Sequence, residues 1–266
     1  MPKVLVEIAG AVRTVTLNRA DKRNALDVEM MAELTAAMRE TPGAEERVAV
    51  IRAAGTVFCS GLDLRARREI QADGISSIEA CLAAIESYPL PVVAVVQGDA
   101  IAGGNELALH CDIVVASSAA RFGMPLAQLG LTTSWLLTKK LLEVAGPVAT
   151  RKILLLGDLL TAAEMQALGA IAEVVPSGAL EAQARAVIDR LAANAPLSLK
   201  AMKALIVRQM TFRDALPHGD LDAIASEVSR SEDGRGGDLP TPHRNSPPPQ
   251  GGRGISVSGP VPPRAR

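Results

Sequence analysis

Hydrophobic and polar positions set the elements along this chain. Val4-Leu5-Val6-Glu7-Ile8 and residues 12–17 are rich in β-branched residues, with Gly10 between them. They predict a hairpin. The period then changes: Met31, Leu34 and Met38 recur on one helical face behind Asp27, a natural N-cap. That helix runs to about residue 40, where Pro42-Gly43 stops it. Val48-Ala49-Val50-Ile51 is a short buried strand, and residues 75–87 read as a helix. Pro91 opens the strand Val92-Val93-Ala94-Val95-Val96. Residues 98–104 then make a turn, residues 105–110 a short helix, and residues 113–116 the next strand.

The second half is mostly helical. Thr161-Ala162-Ala163-Glu164 is a capping box, with Leu160 and Met165 placed as a hydrophobic staple. Gly169 ends that helix, and residues 170–175 form a strand stopped by Pro176. Residues 180–193, 197–208 and 221–230 are further helices. Alternating strands and helices followed by helices alone predict an α/β fold with a helical C-terminal region.

Composition changes this picture at one end. The chain has 266 residues, enough for one large domain, and 48% are hydrophobic. Residues 231–266, however, hold 8 of the 17 prolines and 7 of the 22 glycines and no aromatic. Such a segment buries too little apolar surface to offset its ordering entropy, so it reads as a low-complexity, disordered tail. The organisation expected is a core over residues 1–195, a helical region over 196–230, and the tail over 231–266.

Charge and aromatic content exclude some functions. The 28 basic and 29 acidic residues give a net charge of −1, which argues against a polyanion-binding surface. Three Phe, one Tyr and one Trp are too few for a base-stacking platform, so no nucleic-acid partner is expected. No apolar run suits a membrane span and the N-terminus is no signal peptide. Cys59, Cys81 and Cys111 have no metal-ligand spacing and read as buried thiols of a reducing compartment. A cytoplasmic protein is the expectation.

Phosphate-loop, dinucleotide-binding, nucleophile-elbow and zinc-protease motifs are absent from the sequence. Two glycine segments remain: Phe58-Cys59-Ser60-Gly61-Leu62-Asp63-Leu64 and Gly98-Asp99-Ala100-Ile101-Ala102-Gly103-Gly104-Asn105-Glu106-Leu107. Glycines at a helix start admit a ligand close to the backbone and leave N–H donors free for a negative oxygen. Glu106 lies about one turn into that helix, with its Cβ tilted back toward the start. This layout suits moving a proton beside a carbonyl that becomes an enolate. The same Gly-Gly also suits plain packing, and the same Glu suits the helix dipole.

Four blocks, in order and spacing, resemble the enoyl-CoA hydratase/isomerase (crotonase) family. They are Leu17-Asn18-Arg19-Ala20-Asp21-Lys22-Arg23-Asn24-Ala25-Leu26, the Phe58 to Leu64 block, Gly103-Gly104-Asn105-Glu106-Leu107-Ala108-Leu109-His110-Cys111-Asp112-Ile113, and Arg121-Phe122-Gly123-Met124-Pro125. The resemblance covers about residues 3–232. It implies a crotonase-like spiral of strand-strand-helix units and a homotrimer or hexamer. It also implies an acyl-CoA substrate, with no cofactor or metal beyond the CoA thioester itself. The backbone N–H groups of Leu62 and Gly103 would form the oxyanion hole, and Glu106 would be the catalytic proton carrier. Lys22, Arg23, Ala25, Leu26, Gly61, Asp63, Leu64, Arg65, Gly104 and Leu126 would contact CoA or substrate.

Three departures from the family pattern bear on the reading. The second glutamate of the hydratases would stand at Leu126, which carries no proton. One carboxylate still suffices for a double-bond shift, because one residue can take and return a proton. Residues 129–135 also depart from the Gly-rich stretch of the hydratases, and residues 236–240 stand where a closing helix with aromatic and basic residues would begin. Alongside the hydratase/isomerase reading stand another crotonase-type reaction (thioester hydrolysis, C–C cleavage or dehalogenation) and a non-catalytic CoA-binding protein.

Overall fold

The computed structural model describes residues 1–63, 65, 76–211, 217 and 219–230. The low-complexity tail expected over 231–266 and the site position Leu64 lie outside the described residues.

The predicted hairpin forms. β1 (Val4–Ala9) and β2 (Val12–Leu17) are antiparallel, and Gly10 makes the turn at φ 58°. Asp27 caps α1 (Val28–Arg39) as predicted, its Oδ1 accepting from Met30 N at 2.9 Å. β3 (Val48–Ala53), β4 (Val92–Val96), β6 (Ile113–Ser117) and β9 (Glu173–Val175) extend the sheet in the order β1-β2-β3-β4-β6-β9, parallel from β2 onward. α2 (Ser76–Glu86) lies between β3 and β4 in the chain.

The runs in β3 and β4 are apolar at every position because both sheet faces are covered. Ala49, Ile51, Ala94 and Ala116 join the large core with α1 and α2. Val48, Val50, Val93, Val95 and Val115 pack on the other face against Leu180, Ala184 and Ile188 of α6 (Leu180–Ala193).

A second layer is built from much shorter pieces. β5 (Ala100–Ile101) pairs with β7 (Arg121–Gly123), and β7 with β8 (Leu160–Thr161). Single parallel bridges continue the layer, Cys59 to Ala100 and Leu26 to Leu62. From β2 to β6, each main-sheet strand is thus followed by a short segment of the second layer, which is the expected spiral of strand-strand-helix turns.

Elsewhere the structure differs from the sequence expectation. α3 (Gly103–Leu109) starts two residues early, inside the expected turn. Gly104 permits this: a Cβ there would stand 2.1 Å from Cys59 O. The strand expected over 170–175 keeps only its last three residues. α4 (Trp135–Arg151) is two segments broken at Gly146 (φ 73°), with Pro147 opening the second. A π-turn, Lys152–Leu156, follows it. The capping box at α5 (Ala162–Ala167) closes as predicted: Glu164 N donates to Thr161 Oγ1 and Thr161 N to Glu164 Oε2, with Leu160 and Met165 buried. The C-terminal helices are α7 (Pro196–Met210) and α8 (Gly219–Arg230). Lys203 docks α7 on the body, its Nζ donating to Leu90 O (3.1 Å) and Asp112 Oδ2 (2.7 Å).

Candidate active site

The second layer brings the two glycine segments together. In the Leu26–Leu62 bridge, Leu26 N donates to Gly61 O and Asp63 N donates to Leu26 O, both at 2.8 Å. Leu62 lies between those two bonds, so its own N–H turns out of the ladder. On the neighbouring piece, Ile101 N donates to Cys59 O at 2.9 Å and Ala102 N to Gly123 O at 2.8 Å. Gly103 is then the first residue of α3, whose opening N–H groups have no partner within the helix. Among the described residues neither Leu62 N nor Gly103 N has an acceptor.

Backbone geometry holds these donors close. A Cβ on Gly61 (φ 88°) would stand 3.2 Å from Gly103 N and 2.9 Å from Ile101 O. A Cβ on Gly103 would stand 3.6 Å from Leu62 N and 3.4 Å from Leu26 Cδ1. Ala102, which links β5 to α3, adopts φ 49° and ψ −118°. A non-glycine residue with positive φ is a strained joint, held here by the Gly123 bond on one side and by Glu106 N donating to Ala102 O (3.1 Å) on the other.

Glu106 sits one turn further along α3, fully buried, and among the described residues neither carboxylate oxygen has a hydrogen-bond partner. Burial raises its pKa well above the ordinary carboxylate value, while the charge of Lys140 opposes that shift. His110 stacks beneath it at i+4, also buried. Its Nδ1 lies 2.8 Å from Glu106 O and 3.9 Å from Glu106 Oε2. Burial, reinforced by Lys140, pushes the imidazole down to about 4, so it is neutral near pH 7. A neutral ring donates Nδ1–H to that backbone carbonyl, leaving Nε2 as a buried acceptor without a partner among the described residues.

The remaining expected site residues divide into two groups. Ala25, Leu26, Gly61, Leu62, Asp63 and Gly103 are drawn together by the bridge and the glycine contacts. Gly104 is buried against the Cys59 backbone. Leu126 is half-buried and packs on the core. Lys22, Arg23 and Arg65 are exposed. Lys22 ends a short 3-10 turn, Arg23 follows it at φ 54°, and neither side chain forms an ion pair among the described residues. Asp63 faces inward onto Arg19 instead of standing free.

Arg19 is the organiser that sequence reasoning missed. Its guanidinium donates to Ala25 O (2.9 Å) and pairs with Asp63 Oδ2 (2.8 Å) and Asp27 Oδ2 (3.3 Å). It thereby ties both strands of the Leu26–Leu62 bridge to the cap of α1. Asn24 completes the corner. Its Oδ1 accepts from Arg19 N, and its Nδ2 donates to Ala54 O and Val57 O. Asn24 sits at φ 52°, and the tolerance of Asn for that region was the one local signal available. The cysteines are buried and free, and burial pushes the thiols of Cys59 and Cys81 up to about 12.

Comparison with known proteins places the fold and the family. The family described as enoyl-CoA hydratase/isomerase matches residues 7–226. Enoyl-CoA hydratase EchA19 of Mycobacterium tuberculosis is 32% identical over 236 residues, which is 85% of this chain and 87% of that protein. The 2,3-dehydroadipyl-CoA hydratase of Escherichia coli is 32% identical over 209 residues, covering 76% and 81%. The solved enoyl-CoA hydratase of Mycobacterium avium subsp. paratuberculosis superposes with a TM-score of 0.77 at 30% identity, covering 87% of this chain and 92% of that one.

Proposed function

The chain belongs to the enoyl-CoA hydratase/isomerase family, crotonase-type enzymes acting on acyl-CoA thioesters, and from that premise we propose that it moves a proton within an enoyl-CoA, with Glu106 as the proton carrier. The observation that carries this reading is the convergence of two backbone donors, Leu62 N–H and Gly103 N–H, that have no acceptor among the described residues, near the start of the helix that bears the buried Glu106, whose carboxylate has no partner among them either.

In this reading the thioester oxygen accepts from both N–H groups. Glu106, as carboxylate, takes a proton from the carbon beside the carbonyl. The released electron pair moves onto the thioester oxygen, and the two donors hold the resulting enolate. Returning the same proton to the far carbon of the conjugated system completes a double-bond shift. Donors aimed at developing charge in a buried site are worth about 10²–10³ in rate each. Leu126 favours this one-carboxylate route over hydration, which uses an acid and a base around one water.

Leu126 equally supports a second reading, another crotonase-type reaction such as thioester hydrolysis. We also infer a cytoplasmic enzyme that needs no cofactor beyond its CoA thioester. Among the described residues no helix is long and apolar enough to cross a membrane. Assembly into a homotrimer or hexamer is supported by exposed apolar residues on the C-terminal helices, Leu197, Leu205 and Ile206 on α7 and Leu221 and Ile224 on α8.

The test is turnover of 2-enoyl- and 3-enoyl-CoAs by wild type and Glu106→Ala, with free CoA monitored in parallel. Loss of the double-bond shift in Glu106→Ala supports the reading. Equal activity in both proteins removes Glu106 from it, and CoA release selects hydrolysis.

A further inference from the structure

On α4, which packs directly against α3, lies a buried ion cluster that the proposed chemistry does not use. Lys140, on α4, is 5% exposed. Its Nζ lies 2.5 Å from Oε1 of Glu86, the last residue of α2, and 3.1 Å from Oε2 of Glu143, one turn along α4. Two helices, α2 and α4, therefore meet at one ammonium group, and both pack against α3. The outer carboxylates keep 14% and 17% side-chain exposure, whereas Glu106 and His110 have none.

An ammonium is expensive to bury, and a hydrophobic contact of similar size would fill this space at less cost. Against burial, Glu86 and Glu143 hold Lys140 charged. Glu86 in turn stays ionised despite its own burial, because Lys140 faces it. The charge of Lys140 acts on both groups above it: it favours the Glu106 carboxylate and disfavours protonation of His110. Among the described residues Glu106 has no hydrogen bond to its carboxylate oxygens.

We propose that Lys140 is a positioning residue whose clamped ammonium supplies the field that lets Glu106 act as a carboxylate, with Glu86 and Glu143 setting the strength of that field. This deepens the proposed function and rests on Glu106 as base. The charged and titratable groups in the neighbourhood are Glu106, His110 and Cys111 on and just after α3, Glu86 on α2, and Lys139, Lys140 and Glu143 on α4.

The opposed charges give opposed predictions. Lys140→Met removes the cation, so the acid limb of kcat/KM moves to higher pH by about one pH unit, and turnover on that limb falls about tenfold. Lys140→Arg keeps the charge and returns the limb toward wild type. Glu86→Gln removes a neutralising anion, so the limb moves the other way, to lower pH. A purely structural role for Lys140 gives no such reversal.

The closing experiment pairs these pH profiles with ¹³C-glutamate NMR titration of Glu106 in the same proteins. Titration midpoints ordered Lys140→Met above wild type above Glu86→Gln support the proposal. Coincident midpoints, or a Glu86→Gln midpoint at or above wild type, overturn it even if Lys140→Met does not fold. If the midpoints follow the order while wild type turns over no enoyl-CoA, the field stands and the proposed reaction fails.

Discussion

Leu26 and Leu62 are joined by a single parallel bridge, and that bridge holds Leu62 N beside Gly103. Two bonds of 2.8 Å flank Leu62 and occupy its neighbours, leaving its own donor to a ligand. The candidate site is therefore a by-product of how two short segments pair, and it is sensitive to the space between them.

Gly61→Ala tests that spacing. The added Cβ would meet Ile101 O at 2.9 Å, Ala102 Cβ at 3.0 Å and Gly103 N at 3.2 Å, on a residue whose φ of 88° already favours glycine. The two donors must move apart to admit it. We expect kcat to fall by about 10²-fold or more. Stability in urea should fall by only about 1–3 kcal/mol. Unchanged kcat would remove the two N–H groups from the mechanism.

Arg19→Gln tests the clamp. Asp27 keeps Lys3 at 2.7 Å, and Asp63 keeps the Arg65 N–H on its Oδ1 at 3.0 Å, so each carboxylate loses one partner of several. The three acceptors are half-buried or nearly buried, which places the cost at about 1–3 kcal/mol, measured as a lowered urea midpoint. Because Asp63 follows Leu62 directly, kcat should drop with it, and Arg19→Lys should recover only part of both. A single ammonium cannot reach Ala25, Asp27 and Asp63 with the guanidinium's fixed fork.

These two residues also mark how much was legible beforehand. The hairpin, the Asp27 cap and the Thr161–Glu164 box were readable because every partner lies within a few residues. Leu62, Gly103 and Glu106 could be named from motif order alone. β5, β7 and β8 are two or three residues long, too short to display a period, and the layer they build cannot be seen in sequence. Arg19, Lys140 and Lys203 carry no local sequence signal of their roles, because each is tied to a partner far along the chain. Arg13 behaves likewise. It occupies an inward position of β2, 1% exposed, and only its contacts with Glu46 and Glu40 reveal why that is tolerated.

Leu126→Glu asks whether the apolar residue there limits the reaction. The position follows β7, is half-buried, and packs on the core. A carboxyl there would supply the second acid/base group that hydration needs. We expect hydration of a 2-enoyl-CoA, followed as loss of the conjugated chromophore, to rise at least about tenfold over wild type. No gain would mean that a group other than residue 126 limits hydration.

Glu106 and His110 together predict an unusual dependence of stability on pH. In the folded chain His110 holds its proton only below about 4, against an ordinary value of 6.5. The unfolded chain therefore takes up this proton first as pH falls. The stability His110 allows is complete above pH 6.5 and is lost progressively toward pH 4, by roughly 3 kcal/mol. Glu106 acts in the opposite sense. Its folded value lies above 4.5, so the native state keeps a proton that the unfolded chain has released. Its contribution is complete below pH 4.5 and is lost as pH rises through the folded value. Glu106→Gln keeps a neutral side chain at every pH, so it should melt above wild type by a margin that grows from pH 4.5 upward, while turnover is abolished. His110→Gln should lose the acid-side decline and leave that margin in place. Thermal melts of the three proteins from pH 4 to pH 8 decide this. A margin for Glu106→Gln that stays constant with pH would mean Glu106 keeps an ordinary proton affinity inside the fold, which its complete burial without a hydrogen-bond partner opposes.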